Sequence, residues 1–247
     1  MSTLKTNVIE PATGTNLTLG ASGDIIDVTN DALQLNTWKD SGGNTLFTSD
    51  GSGTLSSINS ALDIGGGPNL ILSQTGTNSS GIAFTSGIDS TYDKYMFVFP
   101  YIHCDTNTIE WGFQVNASGQ SGYNETITSS FFDADHRQDG SGGSLQYNSG
   151  KDQGQGTAYQ TLTAENDSTV DSCSSGILYL FAPSSTTYVK HFYSRFSTRT
   201  LLGGSSHQLE YDCYCAGYIN TTAAITEINF KAQTGTFDGK IKMYGCR

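Results

Sequence analysis

The sequence predicts an all-β protein: an antiparallel β-sandwich or jelly roll over residues 66–247, preceded by an oligomerising N-terminal β segment, residues 1–65. Three observations predict it. Apolar residues recur in short, strand-like runs, and long helical patterns are absent. Twenty-nine glycines against four prolines suit many tight turns rather than a Pro-rich linker. Hydrophobic residues make up only 36% and charged residues only 14% of the 247, yet aromatics reach 11%. That is too little charge for a typical disordered chain, and enough aromatic surface for a core or a stacking face.

The first 65 residues carry their apolar side chains in small clusters: Val8 and Ile9, Leu17 and Leu19, Ile25 and Val28, Leu33 and Leu35, Leu46 and Phe47, Leu55 and Ile58. Turn signals separate them, among them Ser41-Gly42-Gly43-Asn44 and Ser49-Asp50-Gly51-Ser52-Gly53. Each cluster offers one or two side chains, at roughly 1.5–3 kcal/mol per fully buried aliphatic. Ordering the backbone costs about 1–2 kcal/mol per residue. A monomeric segment of this composition falls short, whereas copies wound together complete each other's core. A flexible linker is the alternative. The alternating pairs Leu17/Leu19 and Leu33/Leu35 favour interchain β structure.

Gly65-Gly66-Gly67-Pro68 reads as a linker, and beyond it the chain is richer in apolar and aromatic residues. Strands are expected at 70–72, 82–84, 92–102 (a central buried strand), 110–115, 127–132, 145–147, 158–162, 177–182, 188–196, 208–219, 225–231 and 240–244. The one helical candidate, 222–227, is weakened by its β-branched residues. Residues 133–156 and 165–175 are the most polar stretches and are expected as exposed loops, where binding residues concentrate.

The five cysteines are an odd number, and the first residues lack the apolar region of a signal peptide. Both points argue against a disulfide framework, so all five are read as packing residues. A net charge of −11 with only twelve Lys and Arg excludes the basic face a nucleic-acid backbone needs. No apolar run is long enough for a transmembrane helix. Synthesis in a host cytoplasm is therefore expected, with no membrane insertion.

At the N-terminus, Asn7-Val8-Ile9-Glu10-Pro11 and Asn16-Leu17-Thr18-Leu19-Gly20-Ala21-Ser22-Gly23-Asp24 form a distinctive opening, continued at 40–47 and 49–54. With residues 92–99, 184–192 and Gly239-Lys240-Ile241-Lys242-Met243-Tyr244-Gly245, this pattern resembles the tail-fibre-like virion appendage proteins of marine phages, of the cyanophage type. The resemblance implies a structural virion protein, commonly a homotrimer, exposed on the particle beside other phage tail or capsid proteins. It implies no catalytic residues. A capsid decoration protein without host binding is the alternative, and a tail-spike glycan depolymerase a further one.

Asp133, Asp135, His136, Arg137 and Asp139, with Tyr147, form the densest polar cluster. They are the candidate binding residues for a host surface polysaccharide. Paired carboxylates there suggest a divalent metal or glycan cleavage, but EF-hand spacing is missing and a solvated loop accounts for them. No metal, cofactor or catalytic residue is therefore assigned. His103, Asp105 and Glu110 read as turn residues before a general-base set, and Cys213-x-Cys215 is a weak zinc signal without a second pair. Trp111, Tyr123, Tyr147 and Tyr159 suit sugar stacking, against which stands ordinary core packing.

Overall fold

The computed structural model describes residues 37–40, 42–49, 51–52, 55–58, 67–201 and 208–246. The chain divides into two compact units, Met1–Gly65 and Gly66–Arg247. The expected clusters before residue 37 and at 59–65 lie outside the described residues. Among the described residues there is no helix, and every strand pairing is antiparallel.

In the first unit, β1 (Thr37–Lys39), β2 (Thr45–Ser49) and β3 (Leu55–Ile58) form a three-stranded sheet within one chain. Trp38 lies directly opposite Phe47, and their rings stack at 5.6 Å. The expected Gly-Asn turn closes β1 onto β2. The Asp40 carboxylate accepts the Gly42 and Asn44 N–H groups at 2.9 and 2.8 Å, and Gly43 takes φ +82°, where a side chain would strain the backbone.

The second unit is a two-sheet sandwich. The large sheet contains β4 (Asn69–Ser79), β6 (Lys94–Cys104), β8 (Ile127–Arg137), β9 (Gly143–Tyr147), β10 (Gly154–Gly156), β12 (Ser174–Phe181), β13 (Lys190–Leu201), β14 (Gln208–Ile219) and β16 (Phe237–Cys246). Its order is β10-β8-β14-β13-β12-β6-β16-β4, with β9 also paired to β8. The small sheet is β11 (Gln160–Thr161), β7 (Trp111–Ala117), β15 (Ile225–Ala232) and β5 (Ile82–Phe84), in that order.

Period-two alternation builds the core. Along β13 every second residue is buried, Lys190, Phe192, Ser194, Phe196, Thr198 and Thr200, while the residues between face out. Tyr95, Phe97 and Phe99 of β6 do the same, and β6 is central, as expected. Pro100 sits in that central strand where the register shifts against both neighbours, the bulge position that tolerates a missing N–H. Phe99, Phe196 and Phe230 pack around Trp111, whose ring lies parallel to Phe230 at 5.4 Å.

The small sheet hides its outward face beneath its own loops. Gln114 of β7 is fully buried there, its Nε2 donating to the Glu125 and Ala158 carbonyls at 2.8 and 3.1 Å. Tyr123 donates its OH to Glu227 and Tyr159 donates to Asn229, closing the same cover.

Three expectations are corrected. Residues 133–156 are not a loop: β8 runs on to Arg137, turns, and returns as β9 and β10. Paired backbone outweighs polar composition because β14 supplies a ladder partner all the way to Arg137. Residues 222–223 are a bend and 225–227 already belong to β15, consistent with their β-branched residues. In the loop after β11, Asn166, Asp167 and Ser172 are buried because each finds hydrogen-bond partners.

Candidate functional site

The site builds from the residues on the other side of the large sheet's alternation. Directly paired residues of neighbouring strands share a face. Registers therefore place one outward row across eight strands: Tyr147, Phe132, Tyr214, Arg195, Ile177, Val98, Lys242 and Ser73. The next row carries Tyr193, Tyr179, Met96, Tyr244 and Leu70. Side chains that the sequence scatters between Leu70 and Tyr244 thus meet on one surface.

The rings on this surface contact each other. Phe132 stacks on Tyr214 at 4.8 Å with the planes 7° apart. The Arg195 guanidinium lies over the opposite side of that stack, 5.0 Å from the Tyr214 ring centre. Arg195 also holds Asp212 with two parallel hydrogen bonds of 2.9 and 2.7 Å. Arg195 keeps the Asp212 carboxyl below the usual carboxylate range, with the Tyr214 hydroxyl adding to the effect. Beside them Tyr179, Phe181 and Tyr193 form a triangle of rings, Tyr179 to Tyr193 being 4.9 Å, with Lys94 Nζ 5.6 Å above Tyr179. Tyr193 is 46% and Phe132 41% exposed, large values for aromatic groups on strands paired on both sides.

The residues singled out from sequence are divided by the pleat. Tyr147 lies at the margin of the outward face, opposite Phe132, and donates its hydroxyl to Asp152. That contact raises the tyrosine's pKa. His136 is exposed and paired with Glu210 on the same side. Asp133 and Asp135 alternate to the opposite side. Asp133 is buried and accepts the Gln146 and Asn148 amides at 2.9 and 3.2 Å, so it is not an exposed binding residue. Asp135 accepts the Ser144 hydroxyl. Arg137 ends β8, and Asp139 sits in the turn to β9, where it accepts the Ser141 N–H at 2.9 Å. The cluster therefore does not converge on one ligand.

The other candidates resolve similarly. Trp111 is fully buried, so it cannot stack on a sugar, and the hydroxyls of Tyr123 and Tyr159 are committed to the small sheet. His103 faces the Ser172 carbonyl at 2.7 Å, Asp105 accepts from Thr236, and Glu110 pairs with Lys151 at 2.8 Å, so the three have separate partners. Cys104, Cys213, Cys215 and Cys246 are buried and unbridged, as packing residues should be. Cys173 is exposed, against expectation, because it precedes β12 rather than lying on an inward position. Among the described residues no group of three or more His, Cys, Asp or Glu is placed to hold a metal ion.

Sequence reasoning named Tyr147 but missed Phe132, Tyr179, Tyr193, Tyr214 and Arg195. Their alternation along β8, β12, β13 and β14 was the available signal. Alternation places polar residues outward in an ordinary half-solvated sheet, and here the outward positions are aromatic. The chain matches no protein-family model, no curated protein and no solved structure.

Proposed function

We propose that this chain is a structural, non-catalytic component of a phage particle, a tail fibre or similar surface appendage, that works as a homo-oligomer. The observation that supports this most is the outward face of the large sheet, with its rows of Tyr, Phe and Arg. A small-molecule site gathers a few polar groups in a recess. A broad apolar face with a polar rim is instead the mark of a surface that macromolecules cover. The phage setting draws on the resemblance of residues 7–11, 16–24 and 239–245 to tail-fibre-like proteins.

Labelling purified particles with an antibody to this chain, viewed by electron microscopy, tests the reading. Label on tail appendages supports it. Label over the shell moves the protein to the capsid-decoration reading, and absence of the chain from purified particles by mass spectrometry overturns both. A reducing-sugar assay on host polysaccharide is expected to show no release, and sustained release would assign a depolymerase instead.

A second reading concerns host contact. The β8–β9 hairpin ends in exposed Arg137 and carries Leu145 and Tyr147, which are 74% and 61% exposed. Such protruding aromatic and polar groups suit a saccharide. Replacing Arg137 and Tyr147 together by Ala should reduce host adsorption, and unchanged adsorption removes the hairpin from this role.

A further inference from the structure

We propose that the outward face of the large sheet is the surface on which copies of this chain associate, centred on the Phe132–Tyr214–Arg195 stack and the Tyr179–Phe181–Tyr193 triangle. The inference rests on the oligomeric reading above and names its interface.

The two sheets treat their outward faces in opposite ways. The small sheet's face is roofed by the chain's own loops, pinned through Gln114, Tyr123 and Tyr159. The large sheet's face carries more aromatic surface, and its rings Phe132 and Tyr193 stay exposed. An element that leaves its more apolar side open is completed by something else.

Size and composition fit a protein partner. Seven strands, β8 to β4, at ~4.8 Å spacing span about 30 Å, and four residue pairs along them span about 25 Å. The flat area is on the order of 700 Å², close to the roughly 800 Å² each partner contributes to a stable interface. Tyr, Phe, Met and Arg are the residues enriched at interface cores. A saccharide occupies far less of such a surface, and most of the rings here stack on one another instead of offering free faces.

Charge selects a second copy as the partner. The chain carries −11, so two copies repel unless they meet where that charge is absent. Outward positions of the large sheet hold five of the twelve Lys and Arg: Lys94, Arg195, Arg199, Lys240 and Lys242. They hold only three of the 23 acids, Glu210, Asp212 and Asp238. Of the three acids, Asp212 is already paired with Arg195, which leaves Glu210 on β14 and Asp238 on β16. Copies that meet on this face therefore avoid most of the chain's negative charge.

The test uses the full chain with Tyr193 replaced by the photo-crosslinking residue benzoylphenylalanine, an aromatic of related shape at an exposed position. Light scattering gives the mass of the assembly, and mass spectrometry maps the crosslinks. The expected result is an oligomer whose crosslinks join Tyr193 to outward residues of β8, β12, β13 or β14 in another copy. Adding Phe132→Asp should cut those crosslinks about tenfold or more, the loss expected of an interface hot spot. Val170→Asp, on an exposed loop, should leave them unchanged, and circular dichroism should show every variant folded.

An oligomer with crosslinks only to residues 1–65, only to added host polysaccharide, or with none, overturns this interface while the oligomeric reading stands. A monomer overturns both.

Discussion

Trp111 lies at the centre of the sandwich with its ring parallel to Phe230 and its Nε1–H without a partner. Trp111→Ala should cost about 3–5 kcal/mol, from lost burial and the cavity left behind. Trp111→Phe should cost much less, since it keeps much of the volume and removes the unpaired donor. Urea denaturation of both variants checks the ordering. At Gly176 a Cβ would lie 2.5 Å from the Phe196 ring and 2.6 Å from the Arg195 carbonyl oxygen. Gly176→Ala should therefore lower stability by roughly 1–3 kcal/mol through overpacking, read as a lower melting temperature. Sequence leaves Trp111 between core packing, the favoured reading, and a sugar platform, and says nothing of the space around Gly176. Only the packing of β7 against the large sheet, and of Phe196 over β12, separates these meanings.

The same distinction holds for elements. The strand β14 keeps its expected bounds, Gln208–Ile219, because alternation and flanking polar residues mark both ends. The extension of β8 to Arg137 was illegible, since its last residues are as polar as a loop and only the β14 ladder holds them extended. Edges are a second elemental feature. The strand β9 carries no charge or proline, and Leu145 on it is 74% exposed, the kind of edge that invites pairing with another chain. Leu145→Lys should slow aggregation while leaving folding stability within about 0.5 kcal/mol, checked by turbidity and thermal melts together. On the small sheet, Gln114→Leu should release the loops that Gln114 pins. A loss of about 1–3 kcal/mol is expected from the unpaired carbonyls, with faster proteolysis near residues 118–126.

For the whole molecule, stability should fall at both pH extremes. The Thr91 N–H holds Asp89 below its ordinary pKa, the Thr236 hydroxyl does so for Asp105, and the Arg195 guanidinium for Asp212. A depressed carboxyl contributes stability above its unfolded value, ~3.9, and that contribution is lost as pH falls through the folded value. Melting temperature should therefore hold down to about pH 5 and drop below about pH 4. At the alkaline end burial pushes Tyr95, Cys104 and Cys213 up to about 12. Their contribution is present below the unfolded values and is lost as pH rises through the folded ones. Decline should begin near pH 9 for the thiols, around their unfolded pKa of ~8.5. A melting profile flat from pH 3 to pH 11 would contradict this assignment.

Composition and alternation by themselves determined the all-β class, the two-sheet sandwich, most strand positions and the burial of four of the five cysteines. These are local properties: a side chain's neighbours two residues away decide whether it faces inward. The tertiary structure decided which outward residues meet. Phe132, Tyr214 and Arg195 become neighbours only through the registers of β8, β14 and β13, and a shift of one residue would turn them to the other face. It also separated Asp133 from His136, which three residues of sequence had joined, because the pleat sends them to opposite sides of one sheet.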